Sequence, residues 1–285
     1  MMIRDLLHQS AERFDAAGNE SARLDAEVLL AHCLRCERVW LLTHPEQIVP
    51  DDRLTEFQAM VVRRLAREPI AYITRQKAFW TFVLEVNPGV LIPRPDTEVL
   101  VEEALAVCAD AGWAAPRVLD IGTGSGAIAL ALAAQLPDAD VTATDISPVA
   151  LDTARRNARA CGLEHRICFV EGDLFEPVEG LFDLIVSNPP YIGREEYETL
   201  PDGVRAFEPR GALLAGQTGL EFYEKLVYQA RSLLTQEGRL LLEIGATQGE
   251  ALQALLAQAG YDHIGIRADY AGWPRVIRGR RSSFG

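Results

Sequence analysis

The sequence lacks the features that direct a protein into or across a membrane. Its 285 residues contain no apolar stretch near the ~20 residues that a membrane-spanning helix needs. The first residues also lack the apolar segment of a signal peptide, and an acidic residue already stands at Asp5. These absences predict a cytoplasmic protein without membrane spans.

Cysteine is scarce, and its distribution argues against disulfides and metal sites. There are five cysteines, an odd number, scattered along the chain, so we expect reduced thiols. Cys33 and Cys36 form one C-x-x-C pair, but the sequence has no second pair at zinc-site spacing. Because both lie at helical spacing among leucines, we interpret them as core residues and predict no metal site.

Positive charge is also in short supply. The 28 lysines and arginines face 41 aspartates and glutamates, which gives a net charge of −13. Proteins that grip a nucleic-acid backbone usually present a basic surface, so we expect no direct nucleic-acid binding. The one local exception is the cluster Arg275, Arg278, Arg280 and Arg281, which a solvated edge strand explains equally well.

Two segments precede the main domain. Residues 1–77 carry helical apolar stripes throughout and predict a small all-α domain, in which Ser21 can cap a helix. Residues 78–95 predict a β-hairpin linker, with strands at 79–86 and 90–92 around the turn at 87–89.

Residues 96–285 predict an α/β domain with a doubly wound, mostly parallel sheet and an antiparallel pair of strands at its end. Asp96 or Thr97 can cap its first helix, which runs through Val107. The predicted strands are 117–121, 140–145, 166–170, 182–187, 239–244, 263–267 and 275–280, and the later helices are 127–134, 148–161, 219–235 and 249–259.

A glycine-rich loop follows the first of these strands at once and leads into a helix. The loop consists of Gly122, Thr123, Gly124, Ser125 and Gly126, so a ligand can approach its backbone closely. Its spacing is G-x-G-x-G, which disfavours a nicotinamide oxidoreductase with G-x-G-x-x-G. Asp120 would face the helix N-terminus, and its negative charge suits a ligand with a cationic group.

Two further acids follow the next two strands in order. Asp145 ends the second strand, where an acid typically binds the ribose hydroxyls of a nucleoside. Asp173 follows the third strand and can accept a hydrogen bond from an adenine amino group, with Leu174 against the ring. Loop and acids together predict an adenine nucleoside as part of the ligand.

Asn188, Pro189, Pro190 and Tyr191 follow the strand 182–187. The two prolines make the exit from the sheet rigid. The side-chain oxygen of Asn188 and the carbonyl of Pro189 form a pair of acceptors that suits a flat –NH₂ group, either a base amine or a side-chain amide. Tyr191 would pack over that group or close the pocket. Pro93 and Pro95 make the entry to the next helix rigid, either as a wall of the site or as a stiff linker, and Pro93 and Arg94 are candidate substrate contacts.

These motifs resemble those of class I S-adenosylmethionine-dependent methyltransferases. The resemblance rests on the glycine loop, Asp145-Ile146-Ser147, Gly172-Asp173-Leu174-Phe175 and Asn188-Pro189-Pro190-Tyr191. The flanking stretches 67–73, 91–98 and 208–213, with the arginine-rich end, are similar to the HemK/PrmC family of protein-glutamine methyltransferases. This similarity extends over nearly the whole chain.

The resemblance implies a function and a set of contacts. It implies S-adenosylmethionine as cofactor, bound at 122–126, Asp145, Leu174 and Asn188, and substrate contact at 188–191. The implied substrate is the glutamine of the Gly-Gly-Gln motif in class I peptide chain release factors, without a metal, and we expect a monomer. Alternatives are a ribosomal-protein glutamine methyltransferase, an adenine-N6 DNA or RNA methyltransferase, and a silent cofactor-binding module. Leu174 stands where some relatives carry an aromatic residue, which would weaken stacking on adenine.

Overall fold

The computed structural model describes residues 1–282, so the last three residues of the predicted 96–285 domain lie outside the described residues. The chain divides into two compact units. The helical unit comprises Met1–Gln76 and Pro201–Phe207, and the sheet unit comprises Lys77–Leu200 and the chain from Glu208 onward. Among the described residues, no helix has the length and apolar character needed to cross a membrane.

The helical unit is built as its apolar stripes predict. Leu6, Leu30 and Phe57 are buried in one apolar core, with one face of each helix turned inward. Ser21 stands before α2 but does not cap it, because its hydroxyl donates to Asp25 Oδ1 at 2.7 Å. The helices are α1 Ile3–Ala16, α2 Ala22–Leu34, α3 Arg38–Thr43, α4 Asp51–Leu65, α5 Ile70–Thr74 and, from the second segment, α10 Asp202–Phe207.

The hairpin lies earlier in the chain than the sequence predicts. Its strands are β1 Gln76–Phe79 and β2 Phe82–Glu85, because Trp80 adopts a φ of 55° and turns the chain there. The predicted return strand at 90–92 is wrong. Asn87 instead closes a local turn, in which its side chain accepts from Gly89 N at 2.9 Å and its carbonyl accepts from Val90 N at 3.0 Å.

The mostly parallel α/β sheet is confirmed. Its seven strands lie in the order β10-β11-β9-β6-β3-β4-β5. Neighbours from β9 to β5 pair in parallel, whereas β11 is antiparallel to both β9 and β10, as the terminal strand pair predicts. The strands are β3 Arg117–Ile121, β4 Asp140–Asp145, β5 Ile167–Glu171, β6 Phe182–Ser187, β9 Leu234–Glu243, β10 Tyr261–Ala268 and β11 Pro274–Arg281.

Helices cover both faces of this sheet. They are α6 Glu98–Asp110, α7 Ala127–Gln135, α8 Pro148–Ala160, α11 Glu221–Leu233 and α12 Gly249–Gln258. The short helix α9 Arg194–Thr199 packs instead on the two short strands at 192–193 and 214–216. A 3₁₀ turn at Pro95–Thr97 runs directly into α6, so Thr97 already has a helical backbone and makes no side-chain cap. The predicted cap there is wrong. The pair β7 Ile192–Gly193 and β8 Leu214–Gly216 was not predicted, because strands so short carry no readable alternation.

Alternate residues of the central strands point to opposite faces. Val118 and Leu184 pack in the cluster that includes α6 and α7, whereas Leu119 and Ile185 pack in the cluster that includes α11 and α12. Both faces are therefore apolar, as parallel strands require. The chain order reverses beside β3, and ligands bind at the carboxyl ends of strands at such a point.

Asn157 of α8 is a buried polar side chain that joins three segments. Its Oδ1 accepts from Glu85 N at 2.7 Å, and its Nδ2 donates to Glu85 O at 3.0 Å and to Ser125 O at 2.8 Å. The hairpin strand β2 and the glycine loop are therefore held to the same helix.

We expect Asn157→Ala to lower the free energy of unfolding by about 2–4 kcal/mol, because it leaves buried backbone groups without partners. Urea denaturation measures this loss. The control is Asp152→Ala on the same helix, whose carboxylate makes only an exposed ion pair with Arg155, and which should change stability by less than about 1 kcal/mol. Equal stability of Asn157→Ala and wild type would contradict this role.

Candidate functional site

A cavity of about 320 Å³ lies at the carboxyl ends of the parallel strands. Its walls come from the segments that follow β3, β4, β5 and β6, and from the turn region between Gly89 and Thr97. All of its lining residues belong to the sheet unit. The volume falls in the range of small-molecule sites.

The glycine loop forms the floor of this cavity. Gly122, Thr123, Gly124 and Ser125 line it. Gly122 and Gly124 have positive φ values of 73° and 57°, and no described atom lies within 4 Å of the place where their Cβ atoms would stand. A ligand can therefore approach the backbone directly. Gly126 does not line the cavity, and its absent side chain makes room for Ala154 of α8.

Asp145 lines the cavity at the end of β4. Its Oδ2 accepts from Gly124 N and its Oδ1 from Ser147 N, both at 2.9 Å. Burial raises the pKa of Asp145, and these backbone hydrogen bonds partly oppose that rise. The carboxylate is thus fixed beside the glycine loop, with lone pairs left for further donors.

Asp173 and Leu174 line the adjoining wall after β5. Asp173 is exposed, whereas Leu174 is half-buried and adopts a φ of 47°, a conformation that is uncommon for a residue with a side chain. Gly172 is required before them, because a Cβ there would lie 2.6 Å from Pro177. Strain and close packing thus fix the direction of this segment.

Asn188, Pro189 and Pro190 line the cavity after β6. The Asn188 Nδ2 donates to Thr97 Oγ1 at 3.2 Å, so Thr97 contacts the nitrogen of the Asn188 amide and not its oxygen. Ser187 Oγ donates to Ile121 O at 2.7 Å and ties the end of β6 to the end of β3. Asn188 is therefore presented from a rigid corner.

Asp120 does not line the cavity but lies behind the glycine loop. It is fully buried, and its Oδ2 accepts from Thr123 Oγ1 at 2.7 Å and from Ala129 N at 3.2 Å. Asp120 thus lies against the first turn of α7, and its predicted contact with a ligand stays a prediction. Burial raises its pKa to about 7, and the two hydrogen bonds oppose this rise. Its interactions fix Thr123 and the first turn of α7.

Tyr191 and Arg94 also stand away from the cavity wall. The Tyr191 ring packs against the core, and its hydroxyl donates to Glu243 Oε1 at 3.5 Å. Its carbonyl accepts from Gln248 Nε2 at 2.9 Å. Arg94 forms an ion pair with buried Glu208, whereas Pro93 beside it does line the cavity. The stretches 91–98 and 208–213 are thus joined by this pair.

Sequence reasoning missed several lining residues. Thr97 was considered only as a helix cap, yet it lines the cavity and holds Asn188 across 91 positions of sequence. Phe222 and Ala212 line the cavity as well. Ala212 belongs to the stretch 208–213 but was not named as a site residue, and Phe222 lies outside every motif named above. Only the fold brings them to the site.

Comparisons with known proteins agree with this geometry. The family model "PrmC N-terminal domain" matches residues 5–74, and "Methyltransferase small domain" matches residues 97–205. A release factor glutamine methyltransferase from Rhodopirellula baltica is 40% identical over 96% of this chain and 95% of its own. One from Aliivibrio fischeri is 42% identical over 98% of both. The chain belongs to the release factor glutamine methyltransferase family.

The resemblance stated from the motifs is confirmed by these relatives. The solved structure of a methyltransferase from Pyrococcus furiosus aligns with a TM-score of 0.54 at 22% identity, covering 79% of this chain and 98% of that one. At that identity it shows the fold alone. Family and fold together confirm a class I methyltransferase architecture.

S-adenosylmethionine is the cofactor of a release factor glutamine methyltransferase, and the cavity fits it. The open space above Gly122 and Gly124 admits a ligand against the backbone. Asp145 offers a fixed carboxylate for two hydroxyls, and Asp173 with Leu174 offers an acceptor and an apolar surface for a base. The donors, acceptors and apolar surface therefore match an adenine nucleoside.

We expect Asp145→Ala to weaken S-adenosylmethionine binding by about 1.5–3 kcal/mol, because it removes charge-assisted hydrogen bonds. Isothermal calorimetry measures the change. Asp140→Ala is the matched control, since that exposed carboxylate stands at the opposite end of the same strand. An unchanged affinity in Asp145→Ala would refute the assignment.

Asp120 makes stability depend on pH. Burial raises its folded-state pKa to about 7, above the usual value for an aspartate, so the folded protein binds more protons between these values and stability falls as the pH rises through them. Asp120→Asn should flatten the fall in melting temperature between pH 5 and pH 8, whatever its constant effect on stability. Asp140→Asn should leave the slope as in wild type, and an unchanged slope in Asp120→Asn would contradict the raised pKa.

Proposed function

We propose that this protein methylates the side-chain amide nitrogen of the glutamine in the Gly-Gly-Gln motif of a class I peptide chain release factor, with S-adenosylmethionine as methyl donor. The observation that carries the proposal is the Asn188 side chain. It lines the cavity beside the glycine loop, and its Nδ2 is engaged by Thr97. Its oxygen is thereby left as an acceptor for a substrate –NH₂ group.

The chemistry that this corner supports is the orientation of a weak nucleophile. The lone pair of an amide nitrogen is delocalised into its carbonyl, so the nitrogen must be held in line with the methyl group. We assign the two N–H groups of the substrate to Asn188 Oδ1 and Pro189 O, which also favour the positive charge that develops on nitrogen. The bound cofactor supplies an electrophilic methyl group on sulfur. An N-methylated amide cation is a strong acid, so the chain needs no dedicated base.

The remaining roles follow from position. We assign the cofactor to Gly122, Thr123, Gly124 and Ser125 for backbone approach, to Asp145 for the ribose, and to Asp173 and Leu174 for adenine. Gly126 and Asp120 would support the loop from behind. Tyr191 would act through Glu243 and the core, since its ring does not line the cavity.

We propose that the helical unit recognises the protein substrate. It has its own apolar core and contributes no residue to the cavity wall. Residues 1–77 would then serve recognition, 78–95 connection and 96–285 methyl transfer, in a cytoplasmic monomer that acts on a protein of the translation machinery.

The arginine cluster argues against the adenine-N6 alternative. Arg275 pairs with Asp269 at 3.0 Å, Arg280 pairs with Asp262 at 2.6 Å, and Arg278 pairs with Glu103. Arg281 donates to the carbonyl of Leu234. All four guanidinium groups are therefore engaged within the protein rather than displayed to a phosphate backbone.

The direct test is mass spectrometry of a purified release factor incubated with the enzyme and S-adenosylmethionine. We expect one added methyl group on the Gly-Gly-Gln glutamine and none on the Gln→Glu factor, whose carboxylate has no N–H to donate. Methylation of a ribosomal-protein glutamine or of adenine, with no methyl on the release factor, would refute the proposal in favour of that substrate.

We expect Asn188→Ala to lower kcat by about 100-fold or more, because the transferring amide loses its acceptor. The S-adenosylmethionine affinity should change far less, and calorimetry on the same variant provides that internal control. A variant that keeps most of its rate at saturating cofactor would rule out the assigned role.

A further inference from the structure

Behind Asn188 lies a series of buried polar side chains that begins at Thr97 in the cavity wall and continues away from the cavity. Thr97 Oγ1 accepts from Asn188 Nδ2, and Thr97 in turn faces the carboxyl group of Glu243, at the end of β9. Thr97 and Glu243 are 4% and 1% exposed. The Tyr191 hydroxyl donates to Glu243 Oε1, whereas Glu243 Oε2 makes no hydrogen bond within residues 1–282 and is left as an acceptor.

The direction of these hydrogen bonds depends on the single hydroxyl proton of Thr97. Thr97 has one O–H, which it can give either to Glu243 or to the Asn188 amide oxygen. If the proton goes to Glu243, Thr97 can only accept from Asn188, so Asn188 must turn Nδ2 toward Thr97 and Oδ1 away from it. If the proton went to Asn188, the amide would rotate and present Nδ2 to the cavity, where it would oppose a substrate N–H.

We propose that Thr97 and Glu243 are positioning residues that set which end of the Asn188 amide faces the substrate, and so select an amide substrate over a carboxylate. This inference rests on the proposed function. Asn188 and Pro189 remain the groups that touch the substrate, and Thr97 and Glu243 act through Asn188.

The contacts of Glu243 hold it in place as a hydrogen-bond acceptor. Its backbone carbonyl accepts from the Tyr223 hydroxyl at 2.7 Å, which fixes the end of the strand. Burial raises the pKa of Glu243 to about 7; Thr97, Arg275 and Tyr191 oppose this rise, and Asp96 adds to it. In either protonation state the carboxyl group keeps an oxygen that can accept from Thr97. Within residues 1–282 no ion pair to Glu243 is formed, so a salt bridge does not account for this buried acid. A buried acid without an ion pair needs another reason to be present.

The test compares variants that differ only in hydrogen bonding. Thr97→Val removes the hydroxyl at constant shape, Thr97→Ser keeps it, and Glu243→Gln offers an N–H that Thr97 can accept. The matched control is Thr153→Val, because Thr153 also accepts from an asparagine Nδ2, that of Asn87 at 2.8 Å, away from the cavity wall.

We expect Thr97→Val and Glu243→Gln to lower kcat by about 10- to 100-fold, a loss typical of misplaced reacting groups. Thr97→Ser and Thr153→Val should stay within about threefold of wild type, and the S-adenosylmethionine Kd should change less than about twofold. Unmethylated release factors with Glu and with Gln at the target position each have an inhibition constant. The ratio of these two constants should move toward 1 in Thr97→Val. A purely structural role would not change that ratio.

A wild-type kcat together with an unchanged ratio of inhibition constants in Thr97→Val would overturn the inference. An equal loss of kcat in Thr97→Ser and Thr97→Val would overturn it as well. If the wild-type enzyme failed to methylate a release factor, the proposed function would be refuted. The role of Thr97 in orienting Asn188 could still be tested by NMR. The side-chain amide resonances of Asn188 in ¹⁵N-asparagine-labelled protein should shift in Thr97→Val and return in Thr97→Ser. Unshifted Asn188 resonances in Thr97→Val would refute the inference.

Discussion

The parallel pairing of β4, β3 and β6 is the constraint on which the site depends. Ile121 is level with Thr144 on one side and with Ser187 on the other, so three loops leave the sheet at the same height. The glycine loop, Asp145 and Asn188 are therefore neighbours as a consequence of strand register. A shift of one residue in any pair would turn every side chain of that strand to the opposite face.

Register alone does not fix the loops, and buried hydrogen bonds complete the arrangement. Asn157 holds the glycine loop through Ser125 O, and Gln248 holds the Tyr191 carbonyl. Ser187 joins the ends of β6 and β3. Each of these bonds satisfies a backbone group that the ligand cavity would otherwise leave unpaired, so the bonds that shape the site also contribute to stability.

The sequence predicts those parts of the site that depend on order along the chain. A strand, a glycine loop and an acid at the end of the next strand must meet in a parallel sheet, so Gly122, Gly124 and Asp145 could be placed beforehand. Contacts between distant segments could not. The Thr97–Asn188 bond and the Arg94–Glu208 pair join residues 91 and 114 positions apart, and no local pattern encodes either one.

The hairpin is a second case in which a local sequence pattern does not predict the structure. An aromatic and β-branched run from Phe79 to Val86 indicates one strand, but the positive φ of Trp80 divides it into a turn and two short strands. Nothing in the propensities of Trp favours that conformation. Tertiary packing selects it, since Phe79 and Leu84 on either side of the turn are both buried in the core of the sheet unit.

Two buried acids stand behind opposite sides of the cavity, and both are costly to the fold. Burial raises the pKa of Asp120 and of Glu243 to about 7, so each carboxylate is ionised at neutral pH only at the expense of stability. Asp120 fixes Thr123 on the cofactor side, and Glu243 faces Thr97 on the Asn188 side. An apolar residue at either place would remove the desolvation cost but also the carboxylate that stands beside that threonine. The cost is therefore tied to the orientation of hydroxyl groups that line the cavity, so two buried groups that are unfavourable for folding also help to hold the site in place.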